Sequence, residues 1–493
     1  MINYVSTRGN SEKIESAEAV IQGMAEDRGL FVPDFMPTLP FNIEDMKDKS
    51  YQTFAYEILR SFFQDYSDDE IHACVNAAYD LKFEKEEIVP VVKAGGAFFL
   101  ELYYGRTAAF KDMALSVLPH LLTVALKKKK EGKKVCILVA TSGDTGKAAL
   151  EGFADVPGTE IIVFYPNKGV SEVQERQMVT QEGGNTHVFA INGNFDDAQA
   201  GVKRIFNDAG FSAKLVSAGC RLSSANSINI GRLVPQVAYY VYGYAKLVNK
   251  GAIRNGDKIN IVVPTGNFGN ILAAYYAKEM GVPVNKLICA SNENKVLTDF
   301  INTGKYDINR EFYLTNSPSM DILISSNLER LLYHLSGGDA AEIRRLMESL
   351  DREKSYEVSD IIKRGLGGFC GGFADVRATD ETIGLMYGEN GYLMDTHTAV
   401  AYKVYSDYRE DTGDDTATLI ASTASAYKFA ESVALSIGLP KEKDGFDYVK
   451  ALNKSTGIKI PEALKGLEEK EIRHKRVLNI DEMSGAVEKS LAK

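Results

Sequence analysis

Short apolar runs rich in β-branched residues alternate along this chain with longer stretches of helical period. The runs 135–140, 161–165, 188–191, 259–263, 287–290 and 419–421 are too short for buried helices and have no polar face. Their length, their composition and the helical patterns between them predict buried parallel strands joined by crossover helices, an α/β core. Helical patterns are expected at 43–66, 69–81 and 271–280, and 299–350 reads as a mainly helical insertion. There Leu328, Leu331, Leu332 and Leu335 share one face and are expected to be core. Residues 1–94 differ from the rest, with helical stretches and a Pro-rich segment at 33–40, and are expected to form an N-terminal accessory domain.

Three of the apolar runs end in small polar loops: Thr141-Ser142-Gly143-Asp144-Thr145-Gly146, Gly266-Asn267-Phe268-Gly269-Asn270, and Ser422-Thr423. Ligands of open α/β sheets collect at the carboxyl ends of strands, so loops remote in sequence are expected to converge. The Gly266–Asn270 loop directly precedes a helical pattern, and such a turn aims N–H groups and a helix dipole at one point, which suits a phosphate. Taken alone, it also fits a tight turn with no ligand. Lys111 follows the apolar Ala108-Ala109-Phe110 and opens another helical pattern. Apolar neighbours strip solvent from its ammonium form and lower its pKa, which suits an amine nucleophile or a Schiff-base partner. A helix start disfavours a cation, so the position asks for a reason. A phosphate cradle together with a Schiff-base lysine points to pyridoxal phosphate.

Composition narrows the alternatives. With 493 residues, 45% of them hydrophobic, the chain is long enough for two or three domains and hence for a cleft. A formal charge of −10 argues against a nucleic-acid surface, and the basic run 127–134 reads as the lysine-rich end of a helix. The five cysteines are odd in number and far apart, as expected for reduced core residues of a cytoplasmic protein. Six scattered histidines show no metal-ligand spacing, so no metal is expected. No apolar segment has the length or flanks of a signal peptide or membrane span.

The motifs together resemble threonine synthase, a fold type II pyridoxal-phosphate enzyme, in its longer bacterial and fungal branch. The resemblance runs through Tyr4-Val5-Ser6-Thr7-Arg8-Gly9, Gly29-Leu30-Phe31-Val32-Pro33, the Lys111 segment, Thr141 to Gly146 and Asn226-Ser227-Ile228-Asn229. It continues through Gly266 to Asn270, Asn292-Glu293-Asn294, Ser317-Pro318-Ser319-Met320-Asp321, His397-Thr398-Ala399-Val400 and Ser422-Thr423-Ala424. It implies a tryptophan synthase β-like architecture of two open, mostly parallel sheets with helices on both faces. The large cofactor domain would comprise 95–115 and 231–493, and a small substrate-binding domain 116–230.

Position by position, the resemblance implies that Lys111 carries the cofactor as a Schiff base and serves as the mobile base. Gly266, Asn267, Phe268, Gly269 and Asn270 would bind its phosphate, Thr423 would meet the pyridine nitrogen, and Asp144 would lie near the 3-hydroxyl. Ser142, Gly143, Thr145 and Gly146 would take the substrate carboxylate. The implied reaction converts O-phospho-L-homoserine and water to L-threonine and phosphate.

The chain departs from the family pattern at Arg106, where proline is common, and at Ser425-Ala426-Tyr427, where His-Pro-Ala is common. Arg106 is a candidate for the substrate phosphate, the alternative being an exposed turn arginine paired with a carboxylate. Asn226 and Asn229 read as turn residues, and His397 as a structural histidine. Three other functions stay open: another fold type II lyase, whether an amino-acid dehydratase or a β-replacement synthase; a non-catalytic binding protein of the same fold; and, a distant third, a phosphate-binding kinase, since the Gly266 loop lacks the lysine and Ser/Thr that close a nucleotide P-loop. The expected partner is a small molecule, with neither nucleic acid nor membrane. Assembly is left open, a homo-oligomer included.

Overall fold

The six β-branched runs form the strands their pattern predicts, each extended by one to four residues: Lys134–Ala140, Thr159–Pro166, Thr186–Ile191, Ile259–Pro264, Val284–Ser291 and Thr418–Ser422. The computed structural model describes residues 1–9, 12–80, 82–130, 132–168 and 170–491. Leu81 and Glu131, which fall in the expected stretches 69–81 and 127–134, lie outside the described residues.

The strands build two sheets. The smaller runs in the order Val477–Leu478, Thr186–Ile191, Thr159–Pro166, Lys134–Ala140, Cys220–Ser223, and all its pairs are parallel. The larger runs Phe369–Phe373, Val284–Ser291, Ile259–Pro264, Thr418–Ser422, Ala97–Glu101, Val91–Ala94 and is parallel except for its final hairpin. Strands buried on both faces need helices on both sides, which is why they read as unbroken apolar runs rather than alternating ones.

The strands that pattern did not reveal are short edge pieces. Val91–Ala94 and Ala97–Glu101 turn at Gly95 and Gly96, whose φ values of +51° and +80° suit a tight hairpin. This places 91–94 at the edge of the larger sheet, although the expected accessory domain ran to 94. Val477–Leu478 joins the smaller sheet, and the helix Met483–Leu491 buries Met483, Ala486 and Val487 in that sheet's core. The C-terminal tail thus departs from the expected unit 231–493, because two residues carry no readable period.

Between 299 and 350 the helices are Val296–Thr303, Leu328–Leu335 and Ala340–Glu353. Leu328, Leu331 and Leu332 are buried and Leu335 is half-buried. The segment between the first two helices is not helical: Lys305–Asp307 pairs antiparallel with Ser355–Glu357, and only Pro318–Met320 makes a single 3₁₀ turn.

The N-terminal segment pairs Tyr4–Ser6 with Phe31–Pro33 and then runs through helices Ile43–Met46, Tyr51–Phe62 and Asp68–Tyr79. Ser67 and Glu70 form a reciprocal cap on the last of these. Tyr51 and Phe54 meet Tyr242 edge-on at 5.5 and 5.4 Å, docking this segment on the buried helix Pro235–Asn249. The fully buried Arg330 ties three regions together. Its Nε donates to Phe31 O at 2.9 Å and its Nη2 to Ile228 O at 2.5 Å, while Nη1 reaches Asn327.

The helix Asp144–Phe153 approaches the backbone of Leu115 so closely that a Cβ on Gly152 would overlap Leu115 O. Gly152→Ala should therefore destabilise the protein by about 1–3 kcal/mol in denaturant melts. Gly485→Ala, at an exposed helical position with open space around it, should be neutral or stabilising by up to about 1 kcal/mol.

Candidate active site

Lys111 is placed by a clamp between two loops. Phe110 N donates to Thr423 O at 2.8 Å, Ser425 N donates to Ala108 O at 3.1 Å, and Ala109 bridges Ala424. The segment leaving strand Thr418–Ser422 thereby holds the loop that carries the lysine. Lys111 ends up buried at the start of the short helix Asp112–Leu115, with its Nζ 4.9 Å from the Phe110 ring centroid.

Its amine lies 3.2 Å from Asp144 Oδ2 and 3.4 Å from Ser319 Oγ. Burial lowers the Lys111 pKa below the ordinary lysine value; Asp144 opposes this, and Arg232 and Lys428 add to it. Burial pushes the Asp144 carboxyl up, but Lys428 and Lys111 outweigh it and hold the group far below the usual carboxylate range. Asp144 opens its helix, where the dipole also favours a negative charge.

The two polar loops face the same cleft, of about 840 Å³, which Lys111 and Thr423 also line. In the first loop Thr141 Oγ1 accepts from Gly143 N at 3.0 Å and Gly146 N at 2.9 Å. Ser142, Asp144 and Thr145 line the cleft, whereas Gly143 and Gly146 lie behind it. Gly143 has φ +137°, and a Cβ there would meet the Gln174 amide at 2.7 Å, so packing demands glycine.

In the second loop Phe268 takes a left-handed φ of +63° before the helix Gly269–Glu279. Among the described residues the N–H groups of Asn267, Phe268, Gly269 and Asn270 have no acceptor. The buried Asn270 Nδ2 is also without a partner, while its Oδ1 takes the Tyr239 and Tyr240 hydroxyls at 2.6 and 2.5 Å. A buried donor left unmade costs about 1–3 kcal/mol, so this cradle is built for an acceptor. A Cβ on Gly266 would overlap Ser319 O, so this glycine lets the 317–321 turn approach.

That turn is held by His397, whose Nε2 accepts from Ser319 N at 3.1 Å while Nδ1 faces Asp395 Oδ1 at 2.9 Å. Asn292 Nδ2 donates to Asp321 Oδ1 at 2.7 Å and braces it from the other side. Asn229 ties its own turn, donating to Val20 O and Ser224 O at 3.0 and 3.2 Å; Asn226 faces the cleft.

Arg106 is a correction to the sequence-based site. It does not line the cleft; its side chain is 55% exposed and meets Glu151 at 3.3 Å. The turn before Lys111 points it outward. Arg232, by contrast, lines the cleft, is 5% exposed, and donates from Nη1 to Ala225 O at 2.8 Å. No carboxylate pairs with it among the described residues. Burial lowers its pKa to about 10, so it remains charged at neutral pH. Lys428, also overlooked, pairs with Asp144 Oδ1 at 2.8 Å. The available signal was a lone cation inside an apolar stretch, Ile230 to Val234 for one and Ala426 to Ala430 for the other.

Residues 90–423 match the family described as "Pyridoxal-phosphate dependent enzyme", 3–79 match "Threonine synthase N terminus", and 398–489 match "Threonine synthase, C-terminal". The chain belongs to the threonine synthase family of pyridoxal-phosphate-dependent enzymes. It is 36% identical over 468 residues to threonine synthase of Schizosaccharomyces pombe, covering 88% of this chain and 89% of that protein. It is 39% identical over 430 residues to human threonine synthase-like 1, covering 85% of this chain but only 57% of that longer protein. The crystal structure of pyridoxal-phosphate-bound threonine synthase from Brucella melitensis superposes with a TM-score of 0.87 at 34% identity, covering 100% of both chains.

From the geometry, Arg106→Lys should leave substrate KM and phosphate inhibition unchanged in steady-state kinetics. Arg106→Ala should alter stability by no more than about 1 kcal/mol, as for other exposed ion pairs.

Proposed function

We propose that this chain is a threonine synthase, converting O-phospho-L-homoserine and water to L-threonine and phosphate. The observation that carries the reading is the meeting, in one cleft, of a buried lysine amine, a cradle of unpaired donors and a buried unpaired guanidinium.

The residues present fit pyridoxal phosphate. The Gly266–Asn270 donors, with the orphaned Asn270 amide, would hold its phosphate, Lys111 would attach it, and the Thr423 hydroxyl, free among the described residues, would meet its ring nitrogen. When bound, the cofactor supplies an electron sink for carbanion chemistry. The remaining work belongs to side chains. The Lys111 amine, lowered in pKa by burial, takes the proton from substrate Cα and then from Cβ as phosphate leaves from Cγ, and returns a proton to Cγ, which becomes the methyl group. Water then adds at Cβ. The N–H groups at Ser142, Asp144 and Thr145, at a helix N-terminus, would take the substrate carboxylate.

Arg232 is our candidate for the substrate phosphate. A buried guanidinium without a carboxylate calls for an anion, and its planar donors suit two phosphate oxygens. Residues 95–115 with the larger sheet would form the cofactor unit, and 116–230 with the tail at 477–491 the substrate unit. A cytoplasmic location fits the five free cysteines, and no described helix is long and apolar enough to cross a membrane.

The deciding assay offers the protein O-phosphohomoserine, O-phosphoserine, serine and threonine in turn. Threonine and phosphate in equal amounts from the first substrate alone supports the reading. Turnover of another substrate makes the chain a different lyase, and cofactor binding without turnover makes it a binding protein.

Two substitutions sharpen the assignment. Lys111→Ala should lower turnover by at least about 100-fold while the fold is kept, checked by kinetics and circular dichroism. Arg232→Lys should raise KM for O-phosphohomoserine and weaken inhibition by inorganic phosphate, each by about ten- to a hundredfold, the worth of one charge-assisted hydrogen bond. Cofactor binding should not change.

A further inference from the structure

Lys428 is 0% exposed and directly follows Ser425-Ala426-Tyr427, one of the two places near the site where the chain departs from the family pattern. Its Nζ stands 2.8 Å from Asp144 Oδ1 and donates to Thr107 O at 2.8 Å. Asp144 is therefore a carboxylate between two lysines, Lys428 on one oxygen and Lys111 on the other at 3.2 Å. Gln174 Nε2 donates to Oδ1 at 2.8 Å, and Ser319 Oγ approaches Oδ2 at 3.5 Å.

One buried carboxylate neutralises one buried cation. With both lysines protonated the cluster would carry a net positive charge beside Arg232, which is expensive in a desolvated site. One proton is released most easily, and geometry decides which. Lys428 is closer to Asp144 and has a second, carbonyl acceptor, whereas the second partner of Lys111 is a hydroxyl at 3.4 Å. The other charged neighbour on the Lys428 side is Asp112, whose carboxylate is already tied to Thr107 N at 2.8 Å and Thr107 Oγ1 at 2.6 Å. On the Lys111 side stand Arg232, the Phe110 ring, and His397 behind Ser319.

We propose that Lys428 is a positioning residue: its buried ammonium claims the charge of Asp144, fixes that carboxylate toward the amine, and leaves Lys111 as a free base. Lys428 thus acts through Asp144 without touching substrate. The proposal rests on Lys111 as the site lysine, but not on which substrate is turned over.

The test measures the amine directly, with neither cofactor nor substrate. Full-length protein stripped of cofactor is labelled by trace acetic anhydride across a pH series, and Lys111 acetylation is read by mass spectrometry. In the parent protein the labelling midpoint of Lys111 should lie below that of ordinary lysines, near 10.4. Lys428→Gln, which can still donate to Thr107 O, should raise that midpoint by about one pH unit or more. Lys428→Arg should restore it. In the holoenzyme the acid limb of the kcat profile should move upward in Lys428→Gln and return in Lys428→Arg. An unmoved or lowered Lys111 midpoint in folded Lys428→Gln overturns the proposal, as does an arginine variant that behaves like glutamine. Should the glutamine variant not fold, an ordinary Lys111 midpoint in the parent overturns it equally. Absence of threonine formation, with the labelling shift intact, would refute the substrate reading alone.

Discussion

The site depends on the charge of one carboxylate. Asp144 stands at the N-terminus of a helix on the smaller sheet, and the two lysines it holds come from the loop after strand Ala97–Glu101 and from the 3₁₀ turn Ala426–Phe429 that follows strand Thr418–Ser422. The same contact joins elements of the two sheets and sets the state of the lysine amine. A neutral residue at 144 would leave Lys428 buried without its counter-charge, a cost of several kcal/mol, so docking and chemistry are coupled through a single side chain.

Around this contact the chain uses glycine for close approach as well as for ligand binding. Gly143 yields to Gln174 and Gly266 to the Ser319 carbonyl, so each polar loop is shaped first by its packing neighbour. The unpaired N–H groups of the second loop are those that a helix N-terminus leaves without an intrahelical acceptor, and the Asn270 amide adds a side-chain donor to them. A sequence motif of this kind records steric fit and anion binding together, and only coordinates separate them.

The core was legible in the sequence because parallel strands buried on both faces must be apolar throughout, and six such runs sit where the strands are. Edge strands escaped notice: Val477–Leu478 has two residues, and Cys220–Ser223 has a half-buried Arg221 in its middle. Residue pattern brought Lys111 and the three polar loops to attention, the family resemblance gave Lys111, Asp144, Thr423 and the glycine loop their roles, and these do share one cleft. The pairing of charges stayed hidden, because it depends on which cations the fold buries. Arg106, adjacent in sequence to the lysine loop, points to solvent, whereas Arg232 and Lys428, more than 120 and 300 residues from Lys111, point inward.

The central claim is that Lys111 is the nucleophilic amine of this cleft and Lys428 its locked counterpart. Borohydride reduction of the protein saturated with pyridoxal phosphate, followed by peptide mapping, tests it most directly. The account predicts loss of the bound cofactor's visible absorbance and a single pyridoxyl adduct on the peptide containing Lys111. An adduct on Lys428, or cofactor that reduction fails to fix to the chain, would contradict it.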